Sequence, residues 1–154
     1  MKEPHFEIER KFLVREMPAD LGAHPQQRID QGYLTIGRDH SHVRLRRKGR
    51  SHTLTFKRGA ATGREEREIR LTKKQFDVLW PATEGARLTK TRYEVPCGKW
   101  TVEIDVYQGS KKGLIVAEVE FPNRRECERF RPPAWIGAEV TGQARYSNTH
   151  LARD

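Results

Sequence analysis

The nine residues from Phe6 to Val14, "FEIERKFLV", decide the fold because charged and apolar side chains alternate along them. Glu7, Glu9 and Lys11 occupy every second position, and the intervening positions are mostly large and apolar. A period of two is that of a β-strand, in which successive side chains point to opposite faces. The stretch therefore predicts a strand with one charged face and one hydrophobic face.

The same alternation recurs along the chain. Arg44 and Arg46 lie opposite Val43 and Leu45, and Lys57 lies opposite apolar neighbours in the next segment. With the first stretch and with "RIDQGYLTI" counted in, about eight segments are expected to be strands, although Glu65 and Arg67 make the alternation weaker in "GREEREIRL". The other seven are "RIDQGYLTI" (28–36), "HVRLRRKG" (42–49), "HTLTFKRG" (52–59), "GREEREIRL" (63–71), "TKTRYEV" (89–95), "WTVEIDVY" (100–107) and "IVAEVEF" (115–121).

Two segments break the alternation and predict helices. In "LTKKQFDVLWPA" (71–82), Thr72 is the expected N-cap and Gln75 completes a capping box. In "NRRECERFRPP" (123–133), Asn123 has the same position before its helix, and two prolines end the segment.

Composition limits the classes of protein and partner. The 154 residues fit one domain spanning 1–154, and the net charge of +9 predicts an anionic partner: nucleic acid, a membrane surface or a small polyanion. Cys97 and Cys127 stand alone, which indicates free thiols in a reducing compartment rather than a disulfide framework or a zinc site. No apolar run approaches the roughly 20 residues of a membrane span. A cytoplasmic protein without a membrane partner is expected.

The repeated charged faces predict an unusual interior. For any single strand the ordinary expectation is a charged face toward solvent, but tight charged pairs recur on the same face of many strands. If about eight strands close into a barrel, all these pairs share one lumen. The fold class predicted is α+β, mainly β: an eight-stranded antiparallel β tunnel, closed or nearly closed, with a polar charged lumen and a few flanking helices. The apolar faces would pack outward against helices, with Phe76, Leu79 and Trp80 as candidate covers.

Such a lumen would hold many ionisable groups. Carboxylates this crowded need cations nearby, and a set of oxygen ligands suits Mg²⁺ or Mn²⁺. Arginine and lysine supply the complementary half of the site, because both bind phosphate oxygens. The pattern predicts a tunnel for a short polyphosphate and divalent metal. The expected acids are Glu7, Glu9, Glu66, Glu68, Glu103, Asp105, Glu118 and Glu120, and the expected bases are Lys11, Arg44, Arg46, Lys57, Arg64, Lys90 and Arg92.

The sequence resembles the CYTH domain proteins, also called triphosphate tunnel metalloenzymes. Their signature ExExK is present at Glu7, Glu9 and Lys11. The resemblance covers nearly the whole chain and is closest to the small bacterial inorganic tripolyphosphatases. Its blocks, in family order, are "EIERKFLV", "QGYLT", "VRLRRKG", "LTFKRG", "REEREI", "WPATEG", "KTRY", "EIDVY", "AEVEF" and "EVTGQARYSN".

The resemblance implies hydrolysis or transfer at a triphosphate. It also implies a requirement for divalent metal, as two ions of Mg²⁺ or Mn²⁺. By resemblance, the metal ligands are Glu7, Glu9, Asp105, Glu118 and Glu120. The implied phosphate binders are Lys11, Arg44, Arg46, Lys57, Lys90, Arg92 and, from a C-terminal lid, Arg145. The implied catalytic residues are Lys90, Glu66, Glu68 and Lys11. Gln143 stands where relatives often have an acid, which leaves a lid contact at that position open.

Several functions remain open at this point. Hydrolysis of inorganic tripolyphosphate to pyrophosphate and orthophosphate is the leading hypothesis, and adenylate cyclase (class IV type) and thiamine triphosphatase activities are alternatives in the same tunnel. A polyanion or nucleic-acid binding module is the alternative without catalysis. Nucleic acid is disfavoured because aromatic residues are not interleaved with the basic ones, and such a module would need Arg44, Arg46 and Arg92 exposed. The oligomeric state, monomer or homodimer, is also open.

Overall fold

The structure is a computed structural model that describes residues 5–60 and 63–153. Its main element is one antiparallel sheet of nine strands. The strands are β1 (His5–Val14), β2 (Gln26–Ile36), β3 (His42–Lys48), β4 (Ser51–Arg58), β5 (Arg64–Arg70), β6 (Arg87–Cys97), β7 (Trp100–Tyr107), β8 (Ile115–Phe121) and β9 (Ile136–Glu139).

The first eight strands close into a barrel. Their order is β5-β4-β3-β2-β6-β7-β8-β1, and a further pairing of β5 with β1 joins the two ends. That seam is short, with His5 to Glu7 of β1 opposite Arg64 to Glu66 of β5. The eight-stranded antiparallel barrel predicted from the alternation is confirmed.

β9 was not predicted from the sequence and lies outside the closed barrel. It extends the sheet beyond β1, where Ile136 is opposite Val14 and Glu139 is opposite Phe12. Arg10 on β1 fixes this strand, since its guanidinium donates two hydrogen bonds to the Glu139 carboxylate, at 2.8 and 3.0 Å. β1 therefore pairs with three strands, β5, β8 and β9.

Three short helices flank the barrel: α1 (Lys73–Leu79), α2 (Arg124–Arg129) and α3 (Asn148–Arg153). The capping box predicted for α1 is present, because the Thr72 hydroxyl accepts from the Gln75 N–H and the Gln75 side chain accepts from the Thr72 N–H. Asn123 caps α2 by accepting from the Glu126 N–H at 2.9 Å. Within the described residues, no helix is both long enough and apolar enough to cross a bilayer.

The principal hydrophobic core lies outside the barrel wall. Phe12 of β1 and Phe121 of β8 pack with Phe130, which follows α2 and is only 1% exposed. The ring centroids of Phe12 and Phe130 are 6.1 Å apart, and those of Phe121 and Phe130 are 5.5 Å apart. The outward packing of the apolar faces follows the prediction.

The residues predicted to cover the outer face, on and after α1, pack against a different part of this surface. Phe76 of α1 is buried, with its ring 4.9 Å from His52 of β4 and 5.1 Å from Trp80. α1 therefore covers the region of β4, and the outer side of β1 is covered by Phe130. The sequence did not indicate this division because both segments have the same helical pattern.

A second, smaller apolar cluster involves α3. Leu151 and Ala152 of α3 pack with Tyr33, Leu88 and Tyr107, which belong to β2, β6 and β7. Because these are inward-facing positions at the same end of three strands, α3 closes that end of the barrel. At the other end of the barrel the cavity-lining side chains of Glu120 on β8 and Lys48 on β3 are 48% and 31% exposed, so the lumen is open there.

Candidate functional site

The barrel encloses a polar cavity of about 290 Å³. Its wall consists almost entirely of ionisable and polar side chains contributed by inward positions of the strands. Of the residues predicted to form the lumen, it brings together Glu7, Glu9, Lys11, Arg44, Arg46, Lys57, Arg64, Glu66, Glu68, Arg92, Glu103, Glu118 and Glu120. Lys90, Asp105 and Arg145 do not line it.

Arginines of β3 form the most strongly cationic part of the wall. Arg44 is 4% exposed, and the Nε atoms of Arg44, Arg46 and Arg64 are buried without a hydrogen-bond partner in the described chain. Arg46 has one long contact, from Nη2 to Gln31 Oε1 at 3.4 Å. Burial, together with the nearby charges of Arg44 and Arg92, lowers the pKa of Arg46 to about 9. Unused donors on crowded guanidinium groups are typical of a site that takes an anion.

Carboxylates of the adjacent strands β1 and β8 form the acidic part. Glu9 is opposite Glu120, and Lys11 is opposite Glu118. The cations of the wall contact these acids, with Arg64 Nη2 2.8 Å from Glu9 Oε1 and Lys11 Nζ 3.3 Å from Glu118 Oε1. Burial raises the pKa of Glu9, and the charge of Glu118 adds to that rise. Burial acts to raise the pKa of Glu118 as well, but the charges of Lys11, Arg92 and Lys90 hold it well below its usual range. The pKa values of these two acids are thus shifted in opposite directions.

The acids of β5 complete the cavity on the side of the seam. Lys57 Nζ lies 2.8 Å from Glu7 and 3.1 Å from Glu66, so that one ammonium bridges β1 and β5. Glu68 is less tightly held: it accepts from the Thr55 hydroxyl at 2.7 Å, and the guanidinium of Arg44 is 4.0 Å away.

A fully buried ion-pair network lies beneath the cavity wall. The carboxylate of Asp105 accepts from Arg92 at 2.7 and 2.8 Å and from Lys90 at 2.6 Å. The side chains of Lys90 and Asp105 are both 0% exposed. Burial lowers the pKa of Lys90 to about 8, although the charge of Asp105 opposes that shift. Both Asp105 oxygens accept hydrogen bonds from cationic side chains. Asp105 therefore affects the cavity through Arg92, which does line it.

The cavity was tested for its fit to a divalent cation. No three His, Cys, Asp or Glu side chains among residues 5–60 and 63–153 converge closely enough to enclose a metal ion. The donors are nevertheless of the right kind, since Glu9, Glu118 and Glu120 offer carboxylate oxygens from adjacent strands. Glu118 Oε1 is buried and accepts no hydrogen bond within the described residues, although the Lys11 ammonium lies 3.3 Å away. This set fits Mg²⁺ or a similar hard cation, which binds through few carboxylates and completes its shell with substrate phosphates.

The C-terminal segment reaches the cavity with other residues than the one predicted. Arg145 is exposed, and its guanidinium stacks over the Tyr146 ring at 4.7 Å. Ser147, Asn148 and Thr149 line the cavity instead. Gln143 is exposed and does not line the cavity.

Sequence reasoning missed further residues of the wall. Tyr33 and His42 line the cavity, and Gln31 is fully buried beside it, with its amide donating to the Tyr33 hydroxyl at 3.0 Å. All three share the inward parity of Arg44 and Arg46, since Gln31 is opposite Arg46 and Tyr33 is opposite Arg44. Their positions could have been found by extending the alternation to uncharged residues.

A second cavity of about 370 Å³ adjoins the first near the open end. It is lined by Pro25, Gln26 and Gln27 on one side and shares Lys48 and Arg92 with the charged cavity. Lys48 Nζ lies 3.7 Å from Glu94 Oε1 at this junction. The two cavities therefore share part of their walls at Lys48 and Arg92.

Comparison with known proteins agrees with this architecture. The family profile named CYTH domain matches residues 5–129, which is most of the chain. The chain belongs to the CYTH domain family. The charged β barrel described above is therefore the CYTH domain of this protein, and the resemblance drawn from its sequence motifs is confirmed.

Individual CYTH relatives are similar along almost their whole length. An inorganic triphosphatase of Nitrosomonas europaea is 44% identical over 149 residues, which cover 95% of this chain and 96% of the relative. An inorganic triphosphatase of Acetivibrio thermocellus is 35% identical over 152 residues, covering 96% and 94%. A crystal structure of an inorganic triphosphatase superimposes with a TM-score of 0.72 at 40% identity, covering 100% of this chain and 97% of the other.

Proposed function

We propose that this protein hydrolyses inorganic tripolyphosphate to pyrophosphate and orthophosphate inside the charged cavity. The observation that carries the proposal is the pairing of unused guanidinium donors on Arg44 and Arg46 with a carboxylate cluster at Glu9 and Glu118 in one closed barrel. A small, highly charged anion with bound cations satisfies both sets at once. The two relatives described as inorganic triphosphatases support the same substrate.

The basic residues would hold the substrate. Arg44 and Arg46 bind phosphate oxygens with their free N–H groups, and Lys11, Lys57 and Arg92 add charge around the rest of the chain. Arg92 is held in place from below by Asp105, which is itself bound by Lys90. In this assignment Lys90 and Asp105 act through the orientation of Arg92, whereas the resemblance implied that Lys90 binds phosphate and that Asp105 binds metal, directly or through water. Catalysis would then depend mainly on positioning and on stabilisation of charge.

The acids of β1 and β8 would hold divalent metal. Glu9, Glu118 and Glu120 are the proposed ligands, with Glu7 beside them. The proposed metal content is two ions of Mg²⁺ or Mn²⁺. The metal would supply Lewis-acid stabilisation of the charge on the phosphate oxygens. The residues of the chain confine the substrate and exclude bulk water.

The proton from the attacking water needs an acceptor. Glu66 and Glu68 line the cavity from β5, and Glu68 is the less tightly engaged of the two. We propose that Glu68 orients the water and accepts its proton as the water oxygen bonds to the terminal phosphorus and the P–O bond to pyrophosphate, the leaving group, breaks. Glu66 holds Lys57. Lys90 is a weaker candidate for this role, because its ammonium is 0% exposed and is bound to Asp105.

The alternative of a nucleic-acid binding module fits the geometry poorly. It needs exposed arginines, but Arg44 and Arg92 are 4% and 7% exposed and face the lumen. A duplex or single strand cannot reach guanidinium groups inside a cavity of about 290 Å³.

The test is phosphate release from tripolyphosphate, pyrophosphate, ATP and thiamine triphosphate with Mg²⁺, with Mn²⁺ or with EDTA. The expected result is metal-dependent release from tripolyphosphate that falls at least about 100-fold in the Glu9→Gln variant. Glu128→Gln is the matched control because Glu128 is exposed on α2. Cyclic AMP formed from ATP would favour the cyclase alternative, and no release from any substrate would overturn the proposal.

A further inference from the structure

The inner end of the cavity is built by the C-terminal segment. Leu151 and Ala152 seal the end of the barrel, and Ser147, Asn148 and Thr149 just before them line the cavity. The segment is tied to the barrel from inside, since the Lys11 ammonium donates to the Tyr146 carbonyl at 3.1 Å. Whatever enters the open end therefore meets residues 147–149 at its deepest point.

Asn148 is held in a defined orientation there. Its Oδ1 accepts from the Tyr107 hydroxyl at 2.6 Å and lies 3.4 Å from the Lys90 ammonium. An ammonium group can only donate, so the oxygen of the carboxamide faces Lys90 and Tyr107. Both partners are buried, with Lys90 at 0% and Tyr107 at 1% exposure, which leaves them little freedom to move.

The fixed oxygen determines what the nitrogen does. With Oδ1 directed at the buried pair, the amide nitrogen occupies the other branch of a side chain that lines the cavity. A carboxamide nitrogen carries two N–H donors and no acceptor. The amide of Asn148 thus gives the inner end of the cavity an uncharged hydrogen-bond donor. A cationic donor at this position would add to the positive charge of Lys11 and Lys90.

We infer that Asn148 is a further substrate-binding residue, which donates its amide N–H groups to the terminal phosphoryl group at the closed end. The inference rests on the proposed function, because it takes the occupant to be a triphosphate that enters end first. A terminal phosphoryl group of such a chain has more non-bridging oxygens than the central one, and it therefore accepts more hydrogen bonds. Tyr107 acts as a positioning residue, since its hydroxyl fixes the carboxamide.

The experiment measures binding of inorganic tripolyphosphate by calorimetry in metal-free buffer, alongside KM and kcat for its hydrolysis. Asn148→Asp keeps the shape and the contacts to Tyr107 and Lys90 but turns the donor into an anionic acceptor. We expect the dissociation constant and KM to rise at least about tenfold. Asn123→Asp is the matched control, because aspartate replaces asparagine well at a helix N-cap and Asn123 caps α2. It should bind like the wild type.

A second variant keeps the inference testable if Asn148→Asp does not fold. Asn148→Ser is neutral, is tolerated at a helix start, and should weaken binding in the same direction by a smaller factor. A purely structural role would lower the melting temperature and leave the dissociation constant of the folded protein unchanged. Wild-type binding by folded Asn148 variants would overturn the inference even if the wild type hydrolyses tripolyphosphate. A wild type that binds but releases no phosphate would overturn the proposed function instead.

Discussion

At the scale of single residues, His42 shows how the cavity perturbs a titratable group. Burial lowers its pKa to about 3, and the charges of Arg44, Lys57 and Arg64 act in the same direction. Below the unfolded value near 6.5 the unfolded chain takes up a proton that the folded chain refuses, so acid favours unfolding. At pH 5 the loss of stability from this group is about 2 kcal/mol, and it grows until the pH reaches the folded pKa.

The His42→Asn variant should therefore lose less stability than the wild type when the pH falls from 7.5 to 5. The measurement is urea unfolding at both values, which gives the difference in unfolding free energy directly. His40→Asn is the control, because His40 is an exposed loop residue with φ 65°, a conformation that asparagine tolerates. Equal acid sensitivity in all three proteins would refute the assignment of a neutral, buried His42.

Single residues also show how far the sequence can predict the site. Period-two alternation predicted the inward face for Glu7, Arg44 and Glu118, and all three line the cavity. Alternation specifies the face of a strand but not the depth along it, so it did not separate Asp105, beneath the wall, from the acids on it. Asn148 belongs to a segment without alternation, and no local signal in the sequence directs it into the barrel.

At the scale of elements, the segment that follows α2 packs against the outer face of the barrel wall. Phe130, directly after α2, contacts Phe12, Phe121 and Trp100 through their rings and is 1% exposed. Truncation of such a side chain costs about 3–5 kcal/mol, because it removes buried area and leaves a cavity. Phe130→Ala should therefore lower the melting temperature by about 10 °C.

The matched control is Phe6→Ala, since Phe6 is on β1 but 60% exposed. It should change the melting temperature by no more than about 2 °C. The kcat of folded Phe130→Ala below its melting transition should stay close to that of the wild type, because Phe130 is outside the lumen. A similar melting temperature for both variants would contradict the outer-core assignment.

The elements themselves were largely predictable, for reasons that differ between strands and connections. β1 to β8 are each at least seven residues long, which is enough for a period of two to show. The alternation is weakest in β5, where Glu65 and Arg67 occupy the positions expected to be apolar. β9 has only four residues, Ile136–Glu139, and its pairing with β1 depends on the distant Arg10 to Glu139 contact. The position of α1 on β4 likewise depends on tertiary contacts that its own helical pattern does not encode.

At the scale of the whole molecule, the interior of the barrel is lined by charged side chains instead of a hydrophobic core. The chain carries a net charge of +9, and several of its cations are confined in the lumen. Arg46 is the extreme case, with its pKa lowered to about 9 by burial and by the neighbouring arginines. The cavity wall as a whole carries as many acids as bases, but Arg46 faces Arg44 and Arg92. Folding without an anion therefore works against local repulsion among these guanidinium groups, and an anion bound there relieves it.

This view predicts opposite effects of one substitution on the free and the liganded protein. Arg46→Met removes the charge but keeps a long side chain, so the free protein should gain about 1 kcal/mol and a few degrees in melting temperature. Tripolyphosphate at about 100 times its dissociation constant should stabilise the wild type by about 2.7 kcal/mol. The same concentration should stabilise Arg46→Met much less, because the anion loses a principal partner.

Arg50→Met, in the exposed β3–β4 turn, is the control for lost surface charge. Differential scanning calorimetry with sodium chloride at matched ionic strength separates specific binding from screening. A lower melting temperature for free Arg46→Met would show that the wild-type lumen accommodates this cation without strain, and the repulsion argument would fail.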